Sequence, residues 1–281
     1  MRLGFIGTGA LTAAIVAGLK SLADDHVSIL LSPRNEQIAA DLAARYAGVR
    51  VAADNQAVLD GSDTVMLAVR PQVAPEVLPQ LRFRKDHHVV SLIATISLEK
   101  AAAFVAPAQR TTKALPMPMV AHRQGATIIY PPDARISALF RALGKTIEVK
   151  DAAAFDALSV VTATFAAYFK YLDTIHRWLG ERGVGDPTAR DYVASLYKAL
   201  AHAPDAAPAE GFLDLSAEYA TRGGINEQVL NELSEQGVFE AFAESLDRVH
   251  RRIGGREGPS NTVTSFLFPA GRGWPSEEEA G

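Results

Sequence analysis

A chain of 281 residues, 48% hydrophobic and 21% charged, has the makeup of one large or two ordinary globular domains that need no covalent staples. Its net charge of -4 shows no basic stripe, so nucleic acid is not an expected partner; the lack of cysteine excludes disulfides, thiolate metal sites and cysteine nucleophiles. The opening Met1-Arg2-Leu3-Gly4-Phe5-Ile6-Gly7 is unlike a signal peptide, and no apolar stretch is read as reaching the ~18 residues of a membrane span, so the expectation is a cytoplasmic protein with no membrane partner.

Strand and helix signals alternate through the first half. Arg2 to Ile6 reads as a buried strand, Ala10 to Leu22 as a helix, Val27 to Leu31 as a strand, and Glu36 to Tyr46 as a helix entered through Ser32 to Asn35. Val49 to Ala52 is a weak strand, and Asp54 caps a short helix ending near Gly61. Thr64 to Val69 and His88 to Ile93 are strands, and Ser97 to Phe104 is a helix. Thr111 to Leu115, Ala126 to Tyr130 and Thr146 to Val149 are further short strands. Each parallel crossover needs a helix, so this alternation predicts βαβ units and a mainly parallel sheet: an α/β Rossmann-type dinucleotide-binding domain over residues 1–150.

Near Asp151 the strand signals stop. Ala152 to Leu179 forms one long apolar helical pattern; Thr188 to Ala203, entered through Asp186-Pro187, continues the helical run. A break at Pro204 to Pro208 and punctuation at Arg222-Gly223-Gly224 separate these from helices over Phe212 to Thr221 and Asn226 to Ile253. An all-α domain over residues 151–253 follows. Ala163, Phe165, Ala166, Ala167, Phe169 and Leu172 cannot all face one small core, which predicts a homodimer through these helices. Residues 254–281 form a Gly/Pro-rich tail whose acidic end, Glu277-Glu278-Glu279, is expected to be disordered and in which Phe266, Leu267 and Phe268 could dock on the body.

Gly7-Thr8-Gly9-Ala10-Leu11-Thr12 lies between the first strand and the first helix. Gly7 suits the tight turn, Gly9 lets backbone approach a pyrophosphate, and Ala10 and Leu11 open a helix whose N–H groups face the phosphates. Thr12 holds the third glycine position, so the fingerprint is incomplete, but its strand-to-helix context is the required one. After the second strand, NAD binders place a carboxylate on the ribose 2′-hydroxyl. Here the run is Leu30-Leu31-Ser32-Pro33-Arg34-Asn35: Ser32 and Asn35 can donate to a 2′-phosphate and Arg34 can grip it, which favours NADP(H) over NAD(H).

At this point the chain resembles the pyrroline-5-carboxylate reductase family, from Met1 to about Ile253. Leu3 to Gly9 resembles the family's opening; Ala53-Asp54-Asn55 with Ala57-Val58, Ser91 to Ile96, and Val238-Phe239 resemble further segments. Leu67-Ala68-Val69-Arg70-Pro71-Gln72 resembles the family's L-A-V-K-P-Q, which lies beside the nicotinamide half of the cofactor. The resemblance implies a Rossmann domain, a helical dimerisation domain and NAD(P)H-dependent reduction of a cyclic imine to proline. It breaks at three places. Leu115-Pro116-Met117-Pro118-Met119 stands for M-P-N-T-P, and Thr162 to Tyr168 stands for S-G-S-G-P-A-Y. Gly223-Gly224-Ile225-Asn226 stands for the G-G-T-T that holds the substrate carboxylate.

Hydride transfer to the carbon of a C=N bond needs no strong general acid when the imine arrives protonated, and no acid–base pair is evident. Thr164 and Tyr168, spaced i, i+4, are the candidate catalytic residues: Thr164 would orient the imine nitrogen and Tyr168 line the pocket, or both are packing residues. Gly223 and Gly224 offer a carboxylate nest, with Asn226 as a donor or a helix cap. The histidines suggest no metal site; His176 sits mid-helix without an i+4 partner. Three functions follow: an NADPH-dependent imine reductase of the resembled type, the same fold acting on another imine or a keto substrate, or a non-catalytic NADP-binding protein.

Overall fold

The computed structural model describes residues 1–22 and 26–254. The expectations for the tail, including Phe266, Leu267 and Phe268, fall outside the described residues.

In chain order the first half contains β1 (Arg2–Ile6), α1 (Ala10–Lys20), β2 (Ser28–Leu31), α2 (Glu36–Arg45), β3 (Val49–Val51), α3 (Asn55–Asp60) and β4 (Thr64–Leu67). α4 (Ala74–Val77), β5 (His88–Ser91), α5 (Leu98–Phe104), β6 (Arg110–Leu115), β7 (Ala126–Tyr130), α6 (Ala134–Arg141) and β8 (Lys145–Glu148) follow. The eight strands form one sheet in the order β3-β2-β1-β4-β5-β6-β7-β8. Every pairing is parallel except β6 with β7, where Leu115 stands opposite Ile128.

Strand alternation divides the core between the two faces of the sheet. Leu3, Phe5, Met66 and Val90 join Ile15, Leu19 and Phe140 on one face. Ile6, Val65, Leu67 and Val89 join Val58, Leu78 and Phe83 on the other. Helix starts follow the capping signals: Asn35, Asp54 and Ser97 accept from the backbone N–H groups of Ile38, Ala57 and Lys100. The sequence reading missed α4 and α6. α6 is short, but Asp133 caps it twice and Ile136, Leu139 and Phe140 bury one face.

The second half contains α7 (Ala152–Val161), a three-ten turn at Thr162–Thr164, α8 (Phe165–Gly180), α9 (Asp186–Leu200), α10 (Ala203–Ala206), α11 (Phe212–Tyr219), α12 (Ile225–Glu235) and α13 (Val238–Ile253). Two expectations change here. The break at Pro204 to Pro208 begins as the short helix α10, with proline in its first turn where the missing N–H costs nothing. The single helix expected over Asn226 to Ile253 is two, because Gly237 adopts φ +68° and ends the run.

The chain divides into two compact units, Met1–Ser159 and a second beginning at Val160. The division falls inside α7 rather than near residue 150, because Phe155 packs with Leu115 and Ile128 under the sheet. Helical residues run from Ala152 to Gly180, and an 18-residue window of that stretch has a mean hydropathy of 1.5. The expectation that no apolar stretch reaches membrane-crossing length is therefore corrected. Within the second unit Val160, Ala189, Val193 and Leu215 are the buried apolar residues among those described, while Phe169, Trp178, Tyr192, Phe212 and Ile225 are exposed. α8 and α9 pack together, and the Tyr171 and Tyr197 hydroxyls meet at 2.6 Å.

Candidate dinucleotide cleft and substrate-side residues

The turn after β1 requires its first glycine. Gly7 has φ +104°, and a Cβ there would lie 2.6 Å from the Ala68 backbone after β4. Gly9 precedes α1 as its N-cap, without a side-chain cap, and a Cβ there would meet nothing within 4 Å. The space in front of Gly9 and the uncapped N–H groups of α1 suit a pyrophosphate, so the local geometry fits a dinucleotide. Thr12, in the third glycine position, is fully buried and donates from its hydroxyl to the Gly7 carbonyl at 2.8 Å, bracing the turn from within.

Ser32 braces it from the other side. Its Oγ accepts from the Gly7 N–H at 2.9 Å and lies 3.1 Å from the Thr8 hydroxyl, which itself donates to the Ser32 carbonyl at 2.8 Å. With the Thr8 proton so committed, the Ser32 hydroxyl donates to Thr8, and its side chain is 1% exposed. Ser32 is thus withdrawn from the direct phosphate contact expected of it; it ties the end of β2 to the phosphate turn.

A cleft of about 570 Å³ opens at the carboxyl ends of β1, β2 and β4. Gly7, Gly9, Arg34, Asn35, Ala68, Val69 and Arg70 line it, together with Thr8, Glu36 and Val73, which the sequence reading did not select. Ala10, Leu11 and Pro71 do not line it: the first two begin α1, and Pro71 follows Arg70 in the turn after β4. Arg34 is exposed, and Asn35 uses its side-chain oxygen to cap α2, leaving its amide NH₂ as a donor. Glu36 brings a carboxylate to the same lip. Its place in the first turn of a helix, where acids are common, hid that second role.

The substrate-side candidates are less open. Thr164 ends the three-ten turn, and its hydroxyl donates back to the Val161 carbonyl at 2.8 Å. α8 begins only at Phe165, so the α-helical spacing that put Thr164 and Tyr168 on one face does not hold across the turn. Tyr168 is half-exposed, edge-on to Phe169. The Gly223 N–H donates to Glu227 Oε2 at 2.6 Å and the Gly224 N–H to the Thr221 carbonyl at 2.8 Å. Both N–H groups of the expected nest are therefore engaged within the turn. Gly223 has φ +72°, and a Cβ on Gly224 would lie 2.8 Å from the Thr221 carbonyl oxygen, so the two glycines are also required by the backbone. Asn226 lines a separate cavity of about 370 Å³, with Leu200, Phe212, Leu215, Tyr219 and Leu230 among its walls. His176 does have a carboxylate partner, Asp186 at 3.1 Å, supplied by the next helix rather than its own.

A doubly wound sheet with a glycine turn leading into its first helix defines the class of dinucleotide-binding oxidoreductase folds. Residues 2–95 match the family model described as NADP oxidoreductase, coenzyme F420-dependent. The pyrroline-5-carboxylate reductase of Pseudomonas aeruginosa is 28% identical over 255 residues, covering 86% of this chain and 92% of its own. Among solved structures, 1-pyrroline-5-carboxylate reductase from Streptococcus pyogenes superimposes with a TM-score of 0.79 at 23% identity over 91% of this chain and 98% of its own. Plasmodium falciparum pyrroline carboxylate reductase with NADP bound gives 0.78 at 14% identity over 91% and 98%. A reductive aminase from Aspergillus terreus in complex with NADPH and ethyl-5-oxohexanoate gives 0.55 at 16% identity over 90% and 91%. The chain is similar to pyrroline-5-carboxylate reductases in sequence over most of its length and in fold over nearly all of it.

Proposed function

We propose that the protein is an NADPH-dependent oxidoreductase that reduces a C=N bond, with 1-pyrroline-5-carboxylate as substrate and proline as product. The observation that carries the reading is the cleft that joins the Gly7–Gly9 phosphate turn to Arg34 and Asn35 at the end of β2. Arg34 and the Asn35 amide are the donors for a 2′-phosphate, and the turn at Ala68-Val69-Arg70-Pro71 borders the other half of the dinucleotide.

When bound, the dihydronicotinamide supplies the hydride. The chain's own part is to hold the cofactor against the sheet edge, exclude water and orient the imine, whose nitrogen arrives protonated and leaves as the amine. Thr164, Tyr168, Gly223, Gly224 and Asn226 are the residues assigned to the imine and its carboxylate. For Gly223 to serve, Glu227 must release its N–H.

The protein acts as a homodimer in the cytoplasm, without membrane or nucleic-acid partners. Exposed Phe165, Phe169, Trp178 and Tyr192 on α8 and α9 support the subunit interface. A bilayer is the poorer account of the Ala152–Gly180 stretch, because its first turns bury Phe155 and Ser159.

The deciding experiment follows loss of the reduced-nicotinamide absorbance with 1-pyrroline-5-carboxylate, NADH serving as comparator. Turnover with NADPH preferred is the expected result. A second reading keeps the reaction and changes the substrate to another imine or a keto compound. It is favoured by the engaged N–H groups of Gly223 and Gly224 and by Thr164 bonding its own backbone. Turnover of non-carboxylated imines alone would select it. Tight NADPH binding without turnover of any imine or keto acid would leave a non-catalytic NADP-binding protein.

A further inference from the structure

Lys113 lies on β6, two residues before Leu115, and is 4% exposed. Its Nζ donates to the Ala94 carbonyl at 3.2 Å and sits 4.5 Å from the centre of the Phe155 ring. Among the described residues it forms no ion pair. Asp156 on α7 and Glu99 on α5 act on it only from longer range, and burial is the stronger influence, pulling its ionisation below the ordinary lysine range. A buried cation held by one carbonyl and one ring is costly, and its field is poorly screened.

Its position gives that field a target. Ala94 belongs to the turn after β5, and β5 is the neighbour of β4, whose following turn lines the cleft. With a pyrophosphate at Gly7–Gly9 and an adenosine ribose at Arg34, on the β2 side of β1, the strand order sends the other half of a dinucleotide over the carboxyl ends of β4, β5 and β6. The nicotinamide ring is there uncharged when reduced and a cation when oxidised.

We infer that Lys113 biases the site between the two redox forms of the cofactor: its buried ammonium disfavours the oxidised, positively charged ring and so weakens NADP+ relative to NADPH. The inference rests on the cofactor reading above. It makes Lys113 a positioning and electrostatic residue that touches the Ala94 turn rather than the reacting atoms. In a reductase this promotes release of the oxidised cofactor after turnover.

The test is the ratio of dissociation constants, NADP+ over NADPH, for the full chain by titration calorimetry. The two forms share their phosphates, so any effect on the rest of the cleft cancels. Lys113→Met should lower the ratio roughly ten- to thirtyfold, the size expected of one charge acting across about 8–12 Å at an effective dielectric constant of about 20, while Lys113→Arg should leave it near wild type. Equal changes in both constants would reduce Lys113 to packing and overturn the inference. If Lys113→Met does not fold, the wild type carries the test: as pH rises toward the ordinary lysine value of about 10.4 the ratio should fall as Lys113 loses its proton and stay flat in Lys113→Arg. Asp156 and Glu99 face Lys113 from α7 and α5, and Tyr130 lies beside Phe155 on β7. All three are common to both proteins. A flat ratio in both overturns the proposal. Failure of the wild type to bind either form would instead remove the cofactor reading on which it rests.

Discussion

The two compact units differ in how far each completes its own core. Met1–Ser159 buries apolar side chains on both faces of an eight-stranded sheet and holds its phosphate turn by bonds among Gly7, Thr8, Thr12 and Ser32. The unit that begins at Val160 buries few apolar residues and leaves Phe169, Trp178, Tyr192, Phe212 and Leu213 in the open. The apolar surface left on these helices is what the proposed subunit interface would cover. Cofactor binding should therefore tolerate damage to the helical unit, whereas damage to the phosphate turn should reach both fold and function.

The strongest attack on that contrast is at the turn. Gly7→Ala places a Cβ against the Ala68 backbone at a positive φ, and should cost about 2–5 kcal/mol of stability together with NADPH binding. Gly9→Ala has open space around it, so it should shift stability by less than ~1 kcal/mol yet weaken NADPH more than about tenfold by crowding the phosphate. Thermal unfolding and fluorescence titration of both variants check the pair. Gly9→Ala binding NADPH as well as wild type would remove the pyrophosphate from this turn.

Arg34→Ala comes next: NADPH affinity should drop roughly ten- to a hundredfold as a charge-assisted phosphate contact is lost, with NADH nearly unchanged. Equal losses for both would assign Arg34 a role other than the 2′-phosphate. Glu36→Gln should act in the opposite sense and more weakly, tightening NADPH by about two- to threefold through removal of a like charge at an exposed, screened lip. An unaltered NADPH/NADH preference would place the Glu36 carboxylate away from the ribose.

Phe169→Glu tests the proposed subunit interface. It should shift the protein from dimer to monomer in light scattering while leaving NADPH affinity within about twofold, since exposed aromatics at an interface carry much of its energy. A dimer that survives this change would move the interface away from α8.

Which parts were legible follows from the range of the interaction that fixes them. The strand–turn–helix around Gly7 and the caps at Asp54 and Ser97 depend on residues a few positions apart, and each had a local signature. Ser32 looked like a phosphate donor because its bonds to Gly7 and Thr8 cross more than twenty positions and leave no local mark. Lys113 is one of several polar residues along β6 and carried no local mark of burial; only the fold brings Ala94 and Phe155 around it. α6 carried the same kind of signal as the helices after Asp54 and Ser97, a capping Asp133 before an apolar stretch, and it went unread. Gly237 was visible inside a helical pattern, and only its positive φ identifies it as a stop rather than a tolerated residue. The engaged nest at Gly223 is the same lesson at short range: the glycines signalled free N–H groups, but Glu227, four positions on, returns to fill one of them.

The weakest effect concerns acid. His87 is buried; its Nδ1 accepts from the Arg84 N–H at 3.0 Å and its Nε2 donates to the Leu59 carbonyl at 3.1 Å, so both ring nitrogens are used by the neutral form. Burial, aided by Arg84, lowers its ionisation below the ordinary histidine value, and burial lowers His88 as well, against the opposing pull of Asp133. A histidine whose folded pKa is depressed takes up its proton more readily when unfolded. Its stability is therefore complete above the unfolded value, about 6.5, and is lost as pH falls below that toward the folded value. Unfolding monitored at about pH 7.5 and about pH 5.5 should accordingly show Met1–Ser159 losing stability on acidification. His87→Gln should flatten that slope even though it lowers stability at the higher pH, since the replacement cannot titrate. An unchanged slope in His87→Gln would transfer the acid sensitivity to His88 and its unpartnered Nδ1. A stability independent of pH across that window would mean neither ring gains a proton on unfolding, against the burial both share.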